Sequence, residues 1–251
     1  MTDLDDFWPP SVAVAPRRAD SARTQHGRRE KVLSRDEIVL AAMALADAEG
    51  ASAVNMRRIA KEIGVGAMSL YWHVTDKEQL LDLMLDVVEG EAGTAEISGN
   101  WRDDVGRMAR RRRRALLRHP WAVDFMSGRP PFGPNALLQI ERSLSALDGL
   151  DLDTRTAVQI LMTIDTYVTG SVLNELREIR VVQTHAQAGL TNIDIAAGIQ
   201  DWRDRLDRSG LFVRVVRVFD DGIDPDAAET RDERFEFGLD CLLDGVTARL
   251  P

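Results

Sequence analysis

A pair of helices joined by a very short glycine turn constrains this chain more than any other feature. Asn55 precedes Met56, Ile59, Ala60 and Ile63, apolar positions at helical spacing, and Gly64 stands where a left-handed residue ends a helix. Only Gly64-Val65-Gly66 separates this segment from a short helix read over Ala67 to about His73. Two helices joined so tightly must cross steeply and share apolar residues, which is the helix-turn-helix arrangement. Flanking helices complete the module. Ser34-Arg35-Asp36-Glu37 is a capping box before Ile38, Ala42, Leu45 and Ala46, a helix that Gly50 stops. Asp76, with Gln79 three residues later, caps a fourth helix through Leu80, Leu81, Met84 and Val87. A module over residues 34–88 follows.

Such a module works by laying its second helix in a major groove while neighbouring groups hold phosphates. Ser69, Tyr71 and His73 in or just after the short helix, and Lys77 at the start of the next, can all donate to phosphate. Arg57 near the start of the supporting helix can do the same or fork onto a guanine. Asn55, Ala67 and Met68 complete the expected DNA-facing set, and Trp72 is expected in the core. The charge distribution agrees: residues 17–77 hold 11 Lys and Arg against 8 Asp and Glu in a chain whose net charge is −9. An acidic bulk can face away from the duplex while the cationic part meets it. Residues 1–33, with Pro9, Pro10, Pro16 and the basic Arg17, Arg18, Arg23, Arg28, Arg29 and Lys31, lack hydrophobic period and read as a disordered arm. That arm is open to two readings, a DNA contact and a solvated tail.

The pattern resembles the tetracycline-repressor family of bacterial transcriptional regulators. Ala60, Gly64-Val65, Ser69-Leu70-Tyr71-Trp72-His73-Val74, Lys77 and Leu80-Leu81 stand where that family places them, and the later His119-Pro120-Trp121 and Gly170 resemble its carboxy-terminal domain. The resemblance implies that Ser69, Tyr71, His73 and Lys77 contact phosphate and that Arg57 contacts a base. The chain departs from the pattern at Ala67 and Met68, which meet thymine methyls but cannot hydrogen-bond a base edge. Specificity is therefore expected from Arg57, apolar contacts, DNA shape and arm arginines in a minor groove.

Helical periodicity continues beyond residue 99, over 101–118, 135–147, 153–182, 194–208 and 229–249, giving an all-α expectation with a linker helix and a second domain at 99–251. Residues 211–219 are rich in β-branched side chains and read equally as strand or short buried helix. Segments 119–134 and 183–193 read as mobile connections. On the 101–118 helix, Trp101, Val105, Met108 and Leu116 mark an apolar face with Arg112 within it. A guanidinium there needs a carboxylate, either an internal one such as Asp165 or Asp124 or one supplied by an anionic ligand. Thr163, Thr166, Tyr167, Gly170 and Asn174 share a polar or small face that either lines a cavity or is ordinary core. Trp121, Phe125, Met126 and Phe132 would wall such a cavity. Phe235, Leu239, Leu242, Val246 and Leu250 form a stripe read as a dimer face. The family resemblance implies a four-helix interface between two copies, built from the 153–182 and 229–249 helices.

Several classes are excluded by what the sequence lacks. No stretch approaches the ~18–20 apolar residues of a membrane span, the acidic start is unlike a secretory signal, and the lone Cys241 rules out an internal disulfide, so a cytoplasmic protein is expected. No Gly-x-Ser-x-Gly, phosphate loop, His-Glu-x-x-His or dinucleotide glycine pattern suggests an enzyme, and no cofactor or metal is expected. The expected function is a homodimeric repressor released from a palindromic double-stranded operator by a small-molecule effector. The alternative is a ligand-independent or architectural DNA-binding protein.

Overall fold

Ser34 and Asn55 open the first two helices with their side chains. In the computed structural model, Ser34 Oγ accepts from Glu37 N at 3.1 Å and Asn55 Oδ1 from Arg58 N at 3.0 Å. The structure describes Trp8 and residues 33–93, 96–126, 133–224 and 226–250. Apart from Trp8 and Leu33, the arm at 1–33 lies outside the described residues, as does Phe132. The described residues are helical, with no strand among them.

The amino-terminal module comprises α1 (Arg35–Glu49), α2 (Met56–Ile63), the short α3 (Ala67–Leu70) and α4 (Lys77–Glu91). Gly64 ends α2 at φ 81°, in the left-handed region that glycine adopts without a Cβ penalty. Asp76 Oδ1 caps α4 by accepting from Gln79 N at 2.8 Å. Ile38, Ile59, Leu70, Val74, Leu80 and Met84 are fully buried, each a gain of roughly 1.5–3 kcal/mol over exposure. These side chains fix how α3 is presented.

Beyond the module come α5 (Trp101–Arg118), α6 (Pro120–Met126), α7 (Pro134–Ser145), α8 (Thr154–Gln187), α9 (Asn192–Ser209), α10 (Val213–Asp220) and α11 (Arg231–Thr247). The chain forms two compact units, one of residues 1–169 with 249–251 and one of 170–248. The amino-terminal module and α5–α7 thus share the first unit. The division between these compact units falls within α8.

Several expectations are corrected. The stretch 119–134 is not all connection, because α6 begins at Pro120, a residue whose fixed φ suits a first helical turn. Helix α8 extends to Gln187, into the segment read as mobile. Residues 213–220 are helical: with no partner strand among the described residues, the β-branched run packs on α9 instead. Val216 is buried and Phe219 meets Trp202 edge-on at 5.5 Å. In the second unit, Phe235 and Leu239 of the stripe read as a dimer face are buried within the subunit, whereas Leu242 and Val246 are only half-buried. There the buried Glu178 of α8 accepts from Arg231 Nε at 2.7 Å and from an Arg234 guanidinium nitrogen at 2.8 Å, both on α11.

Candidate functional site

Leu70 and Val74, four residues apart, take the inward positions at the end of α3 and anchor it. Three residues around these anchors turn outward. Met68 is 75% exposed, Tyr71 46% and Trp72 71%. Trp72 is therefore not core, contrary to the sequence reading: it sits midway between the two anchors, on the opposite side of the turn. Ser69 and His73 are half-buried at the edges of this face, as is Ala67, and Lys77 is exposed at the start of α4. Arg57 is exposed near the start of α2, whereas its neighbour Arg58 is ion-paired with Glu49. Asn55 is exposed but its side chain is engaged locally, capping α2 and donating to Ala53 O at 3.2 Å. An exposed helix end carrying Met68, Tyr71 and Trp72, with Arg57 near the start of α2 and Lys77 at the start of α4 exposed as well, has the form of a groove reader.

Behind this face, α4 is tied to the helices that follow it. Glu89, 5% exposed, forms an ion pair with Arg112 of α5. Asp165 Oδ1 of α8 lies 2.6 Å from Arg112 Nε but off the N–H axis, so it acts through charge more than through a directed hydrogen bond. Burial works against the guanidinium charge, and Glu89 and then Asp165 outweigh it, raising the Arg112 pKa above its ordinary value. Of the two acids named from sequence, Asp165 is the one beside Arg112. Glu89 was not anticipated, because nothing in a helix period marks a partner 23 residues away.

The other residues expected to meet an effector are less uniform. Met108 is half-buried, and its sulfur accepts from Ser143 Oγ at 3.5 Å. Thr163 and Thr166 are exposed in the single chain, and their hydroxyls donate to Gln159 O and Met162 O of their own helix. Tyr167 is half-buried, and Asn174 is exposed in the second unit. Trp121 is buried, and its indole N–H is turned to Asp47 of α1, donating at 2.6 Å, while Phe125 packs on it with ring centroids 6.4 Å apart. Among the described residues no group of three or more His, Cys, Asp or Glu could hold a metal ion, and no helix is long and apolar enough to cross a membrane.

Comparison with known proteins agrees with this geometry. Residues 38–84 match the family model for bacterial regulatory proteins of the tetR family, and residues 94–250 match that for the tetracyclin repressor-like C-terminal domain. The chain is 32% identical to the HTH-type transcriptional repressor DrrR1 of Streptomyces coeruleorubidus, over 90% of this chain and 82% of that protein. It is 28% identical to the class A tetracycline repressor of transposon 1721 from Escherichia coli, over 87% of this chain and 92% of that protein. Among solved structures, Streptomyces coelicolor ActR in complex with actinorhodin superimposes with a TM-score of 0.68 and 31% identity, covering 86% of this chain and 97% of that one.

Proposed function

Because this chain belongs to the tetracycline-repressor family of DNA-binding transcriptional regulators, we propose that it is a homodimeric repressor that a small-molecule effector releases from a palindromic operator. The observation that carries the DNA-binding part is the outward tip of α3, where Met68, Tyr71 and Trp72 stand exposed on a helix whose other face is anchored by Leu70 and Val74. On this reading Ser69, Tyr71, His73 and Lys77 hold phosphates, Arg57 reads a base, and Ala67 and Met68 meet thymine methyls. Asn55 positions the start of α2 through its cap. Footprinting on the DNA upstream of its own gene is the test: protection of a palindrome supports the reading, and sequence-independent binding opposes it. In operator binding, Lys77→Ala is expected to reduce the slope of log affinity against log salt by about 0.9 for each protomer, the signature of one lost phosphate contact.

Effector release is supported by the likeness to ActR, which was solved with actinorhodin bound. On this reading the effector meets Met108, Arg112, Thr163, Thr166 and Tyr167, with Trp121 and Phe125 supplying apolar wall. An effector shifts operator binding only by its differential affinity for the two head arrangements, and a coupling of about 1–3 kcal/mol gives roughly 5–150-fold relief. A small molecule that binds tightly but leaves operator affinity unchanged would argue against this account.

Two heads on a palindrome require a dimer. The interface is assigned to the 153–182 and 229–249 helices, through the faces that remain outside the protomer core. Phe237 on α11 is 72% exposed, against 2% for Phe235 two residues earlier. Phe237→Glu is expected to raise the dimer dissociation constant at least about tenfold, measured by sedimentation or light scattering. An unchanged dimer would move the interface elsewhere. The named relatives are regulators and repressors rather than enzymes, and a cytoplasmic location follows from the DNA it binds.

A further inference from the structure

His119 joins α5 to α6 and is 4% exposed. Its Nδ1 lies 2.8 Å from Asp47 Oδ1 on α1, and its Nε2 lies 3.1 Å from Glu91 Oε2 at the end of α4. The ring is therefore the bolt between the reading head and the α5–α6 junction. A neutral imidazole carries one N–H and one lone pair, so in this geometry it would turn a lone pair toward a carboxylate oxygen. Only the imidazolium donates to both.

The groups around the ring point the same way. From α5, an Arg118 guanidinium nitrogen sits 2.6 Å from the same Glu91 oxygen, and from α6, Trp121 Nε1 donates to the same Asp47 oxygen at 2.6 Å. Burial tends to raise the Glu91 carboxyl, but hydrogen bonds and charge from His119 and Arg118 outweigh it and hold the group below its ordinary value, so it is ionised at neutral pH. With the ring protonated, two cations face two carboxylates. Without that proton, the cluster keeps an uncompensated negative charge, and the buried ring turns a lone pair toward a carboxylate oxygen.

We propose that a proton on His119 locks the reading head to the α5–α6 junction, so that operator binding by this regulator weakens as pH rises across neutrality. A locked head reaches the operator already oriented, whereas a loosened head must be ordered on binding, which lowers affinity without changing any DNA contact. This rests on the reading of the chain as an operator-binding regulator, and it adds a proton as a second controlling ligand at a place distinct from the effector site.

The test uses the full-length dimer, with the operator fragment protected in footprinting as probe, at constant ionic strength. Wild-type affinity is expected to fall about tenfold between about pH 6 and about pH 8, the range in which imidazoles change charge. Asp47→Asn, whose amide can donate to a neutral ring, should retain operator binding but lose most of that dependence. His73, itself a candidate phosphate contact, is present in both proteins and drops out of the comparison. A nitrogen–proton correlation spectrum of the operator-free dimer near neutral pH should show both ring nitrogens of His119 protonated, the signal being identified by its loss in His119→Gln. A ring protonated on one nitrogen only, or a single pH dependence shared by wild type and Asp47→Asn, would overturn the proposal while leaving operator binding intact. Failure to bind an operator at any pH would instead refute the regulator reading, and the spectrum would still decide the state of the ring.

Discussion

Arg112→Met is expected to lower the unfolding free energy by about 3 kcal/mol, the low end for breaking a buried ion pair, because the Arg112 side chain keeps 19% of its exposure. The reason is the partner left behind. Glu89 is almost fully buried on α4, and one turn before it lies the equally buried Asp86. Removing the guanidinium takes away the cation that meets Glu89, one turn from the buried Asp86, and Asp165 on α8 loses its counter-charge as well. Methionine fills much of the same volume, so the loss is one of charge compensation rather than packing. Urea denaturation checks the size, and the double variant Glu89→Gln/Arg112→Met should recover much of the loss, since it removes the orphaned charge together with its partner. A single-variant cost below about 1 kcal/mol would mean that water already solvates Glu89 and that Arg112 holds nothing together.

What the sequence made legible was local. Ser34, Asn55 and Asp76 cap the helices they were expected to cap, and Gly64 takes the left-handed conformation at the turn, because a cap needs only the residue itself and the three that follow. The all-α class followed from periodicity for the same reason. Contacts distant in sequence were not legible. His119 and Asp47 are 72 residues apart, and no spacing rule brings them together. Periodicity also could not tell which neighbour buries an apolar stripe, so Phe235 and Leu239 were read as facing a second copy when they face their own subunit. Trp72 failed for a subtler reason: large aromatic residues are usually inside, but in a helix only a few residues long the register set by Leu70 and Val74 outweighs that preference.

The start of α7 depends on the same kind of distant partner, and it gives the second large effect. Gly133 occupies the N-cap position of α7 and has no side chain with which to cap. The cap comes from α4 instead: Asp86 Oδ1 accepts from Asn135 N at 3.0 Å and Ala136 N at 3.1 Å, and Asp86 Oδ2 accepts from Asn135 Nδ2 at 3.0 Å. Glycine is required beside it, because a Cβ on Gly133 would collide with the Asp86 carboxylate. Asp86→Ala removes a helix cap and strands two N–H groups where water has little access, for an expected loss of about 3 kcal/mol in urea denaturation. Gly133→Ala should be comparably harmful by forcing the carboxylate away, and Asp86→Asn should cost only about 1 kcal/mol, since its amide oxygen still accepts.

The pH dependence separates this account from simple loss of packing. Burial raises the Asp86 carboxyl above its ordinary 3.8 by more than the Ala136 and Asn135 N–H groups lower it, and Glu89 adds to the rise. A carboxyl raised on folding holds its proton more tightly in the folded state, so its linkage favours folding most below the unfolded value and fades as pH climbs through the folded one. The stability advantage of wild type over Asp86→Asn should therefore be larger near pH 4 than near pH 7. A gap that stays constant on acidification would mean that Asp86 holds its proton equally well folded and unfolded, and a gap that shrinks would mean that the Asn135 and Ala136 N–H groups outweigh burial and hold the carboxyl below its ordinary value.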